Sequence, residues 1–402
     1  MDTEQSMKLS RSFDWHNATQ FLGALNDNIF QGLMIFFLIG LLGADKKADI
    51  NAMAGIIFVV PFLLFVPAAG VLADRFSKRN IIVLAKAAEL VIMILGCVVF
   101  YYNFPMGIWT VLFLMCTQSA FFGPCKYGII PELVHRDHIA RANSYLESMT
   151  YLSIVIGAAA GPILAKLSGR NFALAGLACV AVAAAGFLTS TRIAKTKPAG
   201  EKSQASLLFV KDVWSTLQQV RGDRQLMLTI WASAYFMLIG GFAKINLIPY
   251  GMEVCGYSDI DSGFLFVMAA VGIGIGCWLA GKLSGRTVEM GIVPLGAIGM
   301  AASSIGLGMV SPAGGAVPTP ILENPRWSVF ILTFLMGISC GLYIVSIHSF
   351  IQIRTPVSIQ GGCWRLPVFW AGWVFCWRPC WSNLSAEISV CRRDGCFLCG
   401  GF

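Results

Sequence analysis

Three consecutive polar residues, Asn26, Asp27 and Asn28, interrupt the first long apolar segment of the chain, in the stretch FLGALNDNIF. An ionised carboxylate at the centre of a membrane helix costs about 2.5 to 3.5 kcal/mol, so it normally faces water or a partner of opposite charge. Asp27 can pair with an ammonium group or accept hydrogen bonds from hydroxyl and amide groups. Asp27 is therefore the first candidate binding residue, with Asn28 beside it.

Further polar side chains stand inside later apolar segments. Lys126 lies in GPCKYGIIPEL, Glu147 in RANSYLESMTY, and Lys244 and Asn246 in GGFAKINLIPYG. Lysines can bind an anionic group such as phosphate, and an amide can bind hydroxyl or ester oxygens. Ordinary roles stay open, because the long stem of Lys126 can reach lipid head groups and Glu147 can pair with Arg141.

Other titratable residues receive a structural interpretation. Lys86 and Glu89 are three residues apart, which predicts a local helix pair that neutralises itself. His135, His138 and His348 are interpreted as loop or interface residues, and they lack the spacing of metal ligands. Most cysteines before residue 362 lie in apolar segments, as small buried side chains do. We predict no metal, no cofactor and no catalytic residue.

The elements that carry these residues are membrane helices. Hydrophobic residues make up 56% of the 402-residue chain, charged residues only 12%, and the mean hydropathy is +0.71. Apolar runs of about 20 residues, the length that crosses a bilayer as a helix, recur along it. The N-terminal segment lacks the features of a cleavable signal peptide, so the first span is expected to direct insertion. We predict ten spans, at about 18–41, 54–73, 80–101, 106–128, 142–167, 171–191, 226–251, 262–283, 290–310 and 328–351.

The net charge of +8 is concentrated in loops on one side of these spans. Lys and Arg cluster in residues 74–79, 135–141, 192–224 and 281–286. The positive-inside rule places these loops, and with them the N-terminus, in the cytoplasm. This distribution indicates membrane topology, and we predict no nucleic-acid partner.

Six spans, a basic linker and further spans predict two similar halves. The stretch GVLADRFSKRNIIVLAKA at 70–87 and the stretch AGKLSGRTVEMGIVPLGA at 280–297 support an internal repeat, because each joins a helix end, a basic turn and a new apolar helix. The predicted divisions are an N-terminal six-helix half, a cytoplasmic linker, spans 7 to 10 of the second half and an anomalous tail, at 1–191, 192–225, 226–361 and 362–402.

The tail is unusual because it holds six of the 13 Cys and five of the 11 Trp of the chain. Codons for Cys, Trp and Phe begin with T, and moving the reading frame back by one base makes that T the middle base, which specifies apolar residues. Residues 363–381 can then be read as VLAAASFLGWVGVLLAAML, which is typical of an eleventh span. We therefore predict a frame slip near residues 361–362, which would leave the second half without its last two spans.

The first repeat is the more specific motif. Gly70, Asp74, Arg75, Lys78 and Arg79 match the loop signature of the major facilitator superfamily, which the chain resembles, with Ser in place of its usual second Gly. The resemblance implies an all-α membrane fold of two six-helix halves, with the last two helices missing or garbled here. It also implies that these five residues form a gating loop, whereas a positive-inside loop with no gating role is the alternative.

Four motifs indicate a particular family within this superfamily. FLGALNDNIF, GPCKYGIIPEL, the Ala142-Asn143-x-x-x-Glu147 pattern and SGRTVEMGIVPLGA are similar to the bacterial lysophospholipid transporter family, over about residues 15–361. That family carries lysophospholipids across the inner membrane to the cytoplasmic leaflet for reacylation. The resemblance implies that Asp27, Lys126 and Lys244 lie around one cavity lined by spans 1, 4 and 7. The substrate-binding residues that it implies are Asp27, Asn28, Lys126, Glu147, Lys244 and Asn246.

The resemblance also implies partners and leaves alternatives. The partners are the lysophospholipid substrate, membrane lipid and an acyltransferase/acyl carrier protein ligase that acts on the transported lipid. One alternative is a proton-coupled drug or metabolite exporter, in which Asp27 or Glu147 would carry the proton. A second is a nonfunctional fragment of a transporter–acyltransferase fusion. The sequence shows no nucleophile elbow, phosphate loop or metal cluster, so we expect no enzyme activity.

Overall fold

In a computed structural model, the chain is described over residues 9–196, 218, 220–284, 289–309, 325–355 and 363. The predicted tail, except Cys363, and most of the predicted linker lie outside these residues. Long α-helices dominate the described part, which contains no β-strand. The long helices are α1 (Arg11–Leu42), α2 (Lys47–Arg75), α3 (Lys78–Tyr101), α4 (Pro105–Gly128), α5 (Ile139–Leu167), α6 (Phe172–Thr191), α7 (Arg224–Pro249), α8 (Asp259–Leu283), α9 (Ile292–Met309) and α10 (Pro325–Arg354).

Each predicted span coincides with one of these helices, although several helices are longer than their apolar segments. Helix α1 begins at Arg11 rather than near residue 18, and α2 begins at Lys47 rather than near residue 54. Their polar ends extend beyond the apolar core, where water or head groups can solvate them. Within the described residues, nine helices are long and apolar enough to cross a membrane, namely all except α7, some of whose side chains lie outside the description.

Polar residues at the helix starts explain where several helices begin. The Ser10 side chain accepts a hydrogen bond from the Phe13 backbone N–H at the start of α1. Asn171, Asp223 and Ser258 cap α6, α7 and α8 in the same way. These side chains satisfy backbone donors that a helix leaves free in its first turn.

The described residues on each side of the linker form their own hydrophobic core. In the first half, α1 packs against α5 and α6, α2 against α4, and α3 against α4 and α6. Its core contains a cluster of aromatic rings, in which Phe37 contacts Phe100 and Phe172 at centroid distances of 5.0 and 5.4 Å. In the second half, α10 packs against α7, α8 and α9, and a second core surrounds it.

The closest helix contact in the second half depends on glycine. A Cβ atom added to Gly272 or Gly276 of α8 would collide with the α10 backbone, and one added to Gly337 or Gly341 would collide with the α8 backbone. Small residues let membrane helices approach until their backbones touch, where dispersion forces hold them. Helices α8 and α10 therefore form a tightly packed pair.

The two halves meet where α5 packs against α8 and α10. The Ser148 hydroxyl donates to the Gly274 carbonyl oxygen at 3.0 Å, and Gly281 lies directly against Ser144. The end of the molecule that carries loops 74–79 and 135–141 is called the basic-loop end below. Contacts between the first turns of α5 and the last turns of α8 and α10 lie at this end, so here the halves are closed against each other.

Candidate functional site

The three consecutive polar residues of α1 have three different hydrogen-bond partners, on α3, on α4 and within α1 itself. Asn26 Nδ2 donates to Glu89 Oε1 of α3 at 2.9 Å, whereas Asp27 Oδ2 accepts from Ser119 Oγ of α4 at 3.1 Å. Asn28 Nδ2 donates back to the Ala24 carbonyl oxygen at 2.7 Å. Successive residues of a helix point about 100° apart, so one short motif supplies polar groups to several interfaces. This arrangement explains why an apolar segment tolerates the motif.

Lys86 and Glu89 form the predicted local pair. Lys86 Nζ donates to Glu89 Oε2 at 2.5 Å, and these side chains are only 2% and 1% exposed. The ammonium group also lies 4.8 Å from the centre of the Phe122 ring, and Gly23 leaves the space that it occupies. We call Asn26, Asp27, Lys86, Glu89 and Ser119 the Asp27 cluster.

Asp27 does not contact Lys126, although the sequence predicted both around one cavity. In the described structure, Asp27 Oδ2 has Ser119 as its hydrogen-bond donor, and Oδ1 is buried without a partner. Lys126 lies seven residues beyond Ser119 on α4, which corresponds to two helical turns or about 10 Å. Asp27 of α1 and Lys126 of α4 therefore lie at different depths in the molecule, about two helical turns apart.

Lys126 belongs to a second polar group nearer the basic-loop end. Its Nζ donates to Thr150 Oγ1 at 3.0 Å, and Thr150 donates in turn to Gln20 Oε1 at 3.1 Å. The ammonium group is also 5.1 Å from the Tyr127 ring centre, and the residue is 9% exposed. Lys126 therefore points into the protein and does not reach out to lipid head groups.

Glu147 links the two halves through a residue that the sequence interpretation got wrong. His348 was interpreted as a loop or interface residue without chemistry, but it is 1% exposed within α10, and its Nδ1 lies 3.2 Å from Glu147 Oε1. A carboxylate oxygen only accepts, so Nδ1 is the donor. Glu147 also accepts a hydrogen bond from the Tyr127 side chain and lies within electrostatic range of Lys126.

The signal that identifies His348 is present in the sequence. An ionisable residue inside a span is a functional candidate by default, and Gln352 follows His348 by one helical turn. Asn143 Nδ2 donates to Gln352 Oε1 at 2.8 Å and to Ser349 Oγ at 3.2 Å. Gln352 Nε2 donates to the Tyr127 carbonyl oxygen at 3.3 Å. These bonds and the Glu147–His348 contact form the interhalf clasp.

The remaining predicted binding residues lie on α7. The backbone of Lys244 is part of this helix, but its side chain lies outside the described residues. Asn246 is half-buried, one turn before the end of α7. Their role in substrate binding stays a prediction.

The predicted gating loop makes its described side-chain contacts inside the first half. Lys78 Nζ donates to Glu132 Oε1 at 2.5 Å, and Arg79 donates to the carbonyl oxygens of Thr191 and Ile193 at 2.8 and 3.3 Å. These contacts connect α3 to the short helix Ile130–Leu133 that follows α4 and to the C-terminal end of α6. Asp74 is buried at 7% exposure, and Gly70 is buried within α2. A gating role for Gly70, Asp74 and Arg75 remains a prediction.

The arrangement suits binding and conformational change. It places carboxylate, ammonium, hydroxyl and amide groups at two levels between apolar helices. The Lys126 level lies near Glu147, which contacts the other half. Among the described residues, no group of three or more His, Cys, Asp and Glu side chains could hold a metal ion. A polar site enclosed by two helical halves is typical of secondary transporters, whose halves rock about it.

The comparison with known protein families indicates the same class of protein, a secondary transporter. Residues 18–363 match the Major Facilitator Superfamily, and the chain belongs to this superfamily. It is a secondary transporter with a major facilitator fold, as the sequence motifs predicted.

Curated relatives and solved structures agree with this assignment. The chain is similar to the lysophospholipid transporter LplT of Enterobacter sp. (strain 638), with 26% identity over 350 residues that cover 86% of this chain and 81% of the relative. It is 27% identical to LplT of Escherichia fergusonii over 353 residues, or 85% and 80% of the two chains. The fold is similar to FucP in its outward conformation, with a TM-score of 0.69, 14% identity and 90% and 89% coverage. The human organic anion transporter MFSD10 gives a TM-score of 0.69, 13% identity and 90% and 91% coverage.

Proposed function

We propose that the protein moves lysophospholipids across a bacterial inner membrane toward the cytoplasmic leaflet, where they are reacylated. Relatives named as lysophospholipid transporters, similar over most of their length, support this substrate class. An acyltransferase/acyl carrier protein ligase would be the partner that consumes the product. Reacylation belongs to that partner, since the fold of this chain is that of a transporter.

The main observation behind the proposal is that a carboxylate on α1 and an ammonium group on α4 lie apart from each other. Asp27 Oδ1 is buried without a hydrogen-bond partner among the described residues, and Lys126 is held by Thr150 two turns away. A lysophosphatidylethanolamine head group carries an ammonium and a phosphate, separated by a two-carbon link. In the proposal Asp27 receives the ammonium and Lys126 the phosphate, while Asn28, Lys244 and Asn246 bind the glycerol and ester oxygens.

The interhalf clasp defines how the site would be exposed. By the positive-inside rule the basic-loop end is cytoplasmic, so the described conformation is closed toward the cytoplasm. Release into the cytoplasmic leaflet then requires the contacts of Glu147 and Asn143 with α10 to break. The loop of Gly70, Asp74, Arg75, Lys78 and Arg79 would bias this equilibrium, because Lys78 and Arg79 fix the position of α3 at this end.

Transport by purified protein in liposomes tests the proposal. Wild type should move labelled lysophosphatidylethanolamine and lysophosphatidylglycerol across the bilayer. Asp27→Asn should lower transport of the ethanolamine lipid at least tenfold, about the value of one charge-assisted hydrogen bond, and affect the glycerol lipid less. Lys126→Met should lower both, because the phosphate is common to them.

Asp45→Asn is the matched control, since Asp45 is an exposed carboxylate beyond the end of α1. Wild type that moves neither lipid would contradict the proposal. Equal loss of both lipids in Asp27→Asn would contradict the assignment of Asp27 to the ammonium. Transport that depends on a pH gradient, with the dependence abolished in Asp27→Asn, would favour a proton-coupled exporter.

A further inference from the structure

The Asp27 cluster contains an excess of negative charge. Asp27 and Glu89 are carboxylates, and Lys86 is the cation that lies among them. Lys86 is already held by Glu89 and packed against the Phe122 ring and Gly23, so it cannot turn fully toward Asp27. A charge without a counter-charge is unfavourable in a low-dielectric interior. With Asp27 ionised, the cluster therefore favours binding of a further positive charge.

Residues of the cluster and its neighbour Gln118 carry oxygens without a hydrogen-bond partner in the described part of the chain. Ser119 Oγ donates to Asp27 Oδ2 at 3.1 Å and accepts from Gln118 Nε2 at 3.0 Å, so one hydroxyl connects the amide to the carboxylate. In the described structure, Asp27 Oδ1, Gln118 Oε1 and Asn26 Oδ1 are buried and have no hydrogen-bond partner. Gln118 is 7% exposed and Asn26 is fully buried. These groups offer acceptor oxygens with no donor to satisfy them.

A set of carboxylate, hydroxyl and amide oxygens is the ligand set of a hard cation. The net charge of the Asp27 cluster determines the valence of the cation that would neutralise it. Because Asp27 and Glu89 exceed Lys86 by a single charge, a monovalent ion neutralises the cluster, whereas a divalent ion would leave it positive. The number of oxygens exceeds what one proton can use, since a proton joins one donor to one acceptor.

We propose that the Asp27 cluster binds a monovalent inorganic cation, with Na⁺ as the ion, through the Asp27 carboxylate, Ser119 Oγ and Gln118 Oε1. A coupling role for this ion rests on the proposed transport function, although its binding does not. The ammonium of a lipid head group offers the same charge from a second source.

Thermal unfolding of the purified full-length protein without added lysophospholipid tests the binding. Replacing choline chloride by sodium chloride at constant ionic strength should raise the Tm by about 2 °C, since a ligand that binds only the folded state stabilises it. Asp27→Asn should abolish the shift. Ser119→Ala keeps the charge and should raise the half-saturating Na⁺ concentration at least tenfold. Ser303→Ala, a buried serine in α9, is the matched control and should respond like wild type.

Each outcome decides the proposal. Equal Tm values in sodium and choline, or a sodium shift that persists in Asp27→Asn, would overturn it. A Tm increase with ammonium chloride but none with sodium chloride would contradict binding of an inorganic cation and would assign the site to the amine of the lipid head group. Because no lysophospholipid is present, failure here leaves the lysophospholipid proposal standing, and sodium binding without lipid transport would reject only the latter.

Discussion

At the scale of single residues, the contact between Lys86 and Glu89 makes a strong prediction. Both side chains are almost fully buried, so Lys86→Met leaves Glu89 and Asp27 without their cation. Removing one partner of a buried pair costs about 3 to 5 kcal/mol, because the remaining charge stays buried and uncompensated. We expect a large loss of thermal stability, measured by the unfolding of the purified variant.

Two variants control for this effect. Lys46→Met removes a lysine whose pair with Asp49 is exposed, with side-chain exposures of 56% and 78%, and should change stability by less than about 1 kcal/mol. The double variant Lys86→Met with Glu89→Gln removes both charges and should recover much of the loss. A double variant as unstable as Lys86→Met would contradict the electrostatic explanation.

Contacts of single side chains could be predicted from the sequence where the two partners are close together in the chain. The Lys86–Glu89 pair follows from helix spacing, and the need of Asp27 for partners follows from its position in an apolar segment. The contact of Glu147 with His348 could not be predicted, because 201 residues separate them. Which faces of α5 and α10 meet depends on how the halves dock, and spacing within one helix does not contain that information.

At the scale of helices, the contact between α8 and α10 depends on backbone proximity. A Cβ on Gly276 would collide with backbone atoms of Ile338, whereas a Cβ on Gly263, in the same helix, would meet open space. We expect Gly276→Ala to destabilise the protein by about 1 to 3 kcal/mol, the usual cost of overpacking. Gly263→Ala should be neutral or slightly stabilising. Equal Tm values for the two variants would contradict this packing.

The contact between the start of α7 and the end of α10 predicts a pH dependence. Asp223 Oδ2 accepts from Arg354 Nε at 2.6 Å, and this hydrogen bond, followed by that from the Leu226 backbone N–H, holds the pKa of Asp223 below its ordinary value. A lowered folded-state pKa adds stability that is present above the unfolded pKa of about 3.9 and is lost as the pH falls through the folded pKa.

Asp223→Asn isolates this contribution, because asparagine can still cap α7. The Tm difference between wild type and this variant should hold its full value above about pH 5 and should shrink as the pH falls below about 3.9 toward the folded-state pKa of Asp223. Thermal unfolding across this range measures it. A difference that does not change with pH would show that the charge of Asp223 contributes nothing.

Helix identity was predictable for physical reasons, and helix ends were less so. Runs of apolar residues specify which segments cross the membrane, and each predicted span has its helix. The helices begin earlier than their apolar segments because caps such as Ser10 act outside the hydrophobic run. Composition therefore determined the number of elements, and local hydrogen bonding determined their limits.

At the scale of the whole molecule, the superfamily fold could be predicted from the loop motif, whereas the conformation could not. The same sequence must support states that are open to either side, so its patterns specify neither. The contacts of α5 with α8 and α10 show the state that is closed at the basic-loop end. The predicted frame-shifted tail at 362–402 lies outside the described residues and remains a prediction.

Reversible cross-linking of the two halves tests most directly whether their separation carries lysophospholipid through the molecule. Ser148 of α5 and Gly274 of α8 face each other across the two halves, since the Ser148 hydroxyl lies 3.0 Å from the Gly274 carbonyl oxygen. A Cβ on Gly274 would meet no atom closer than the Ser148 carbonyl oxygen at 3.9 Å, so Ser148→Cys with Gly274→Cys places two thiols side by side without a clash. In liposomes, transport of lysophosphatidylethanolamine by this variant should stop on oxidation and return on reduction, while each single variant stays active under both conditions. Undiminished transport by the fully cross-linked protein would contradict the account.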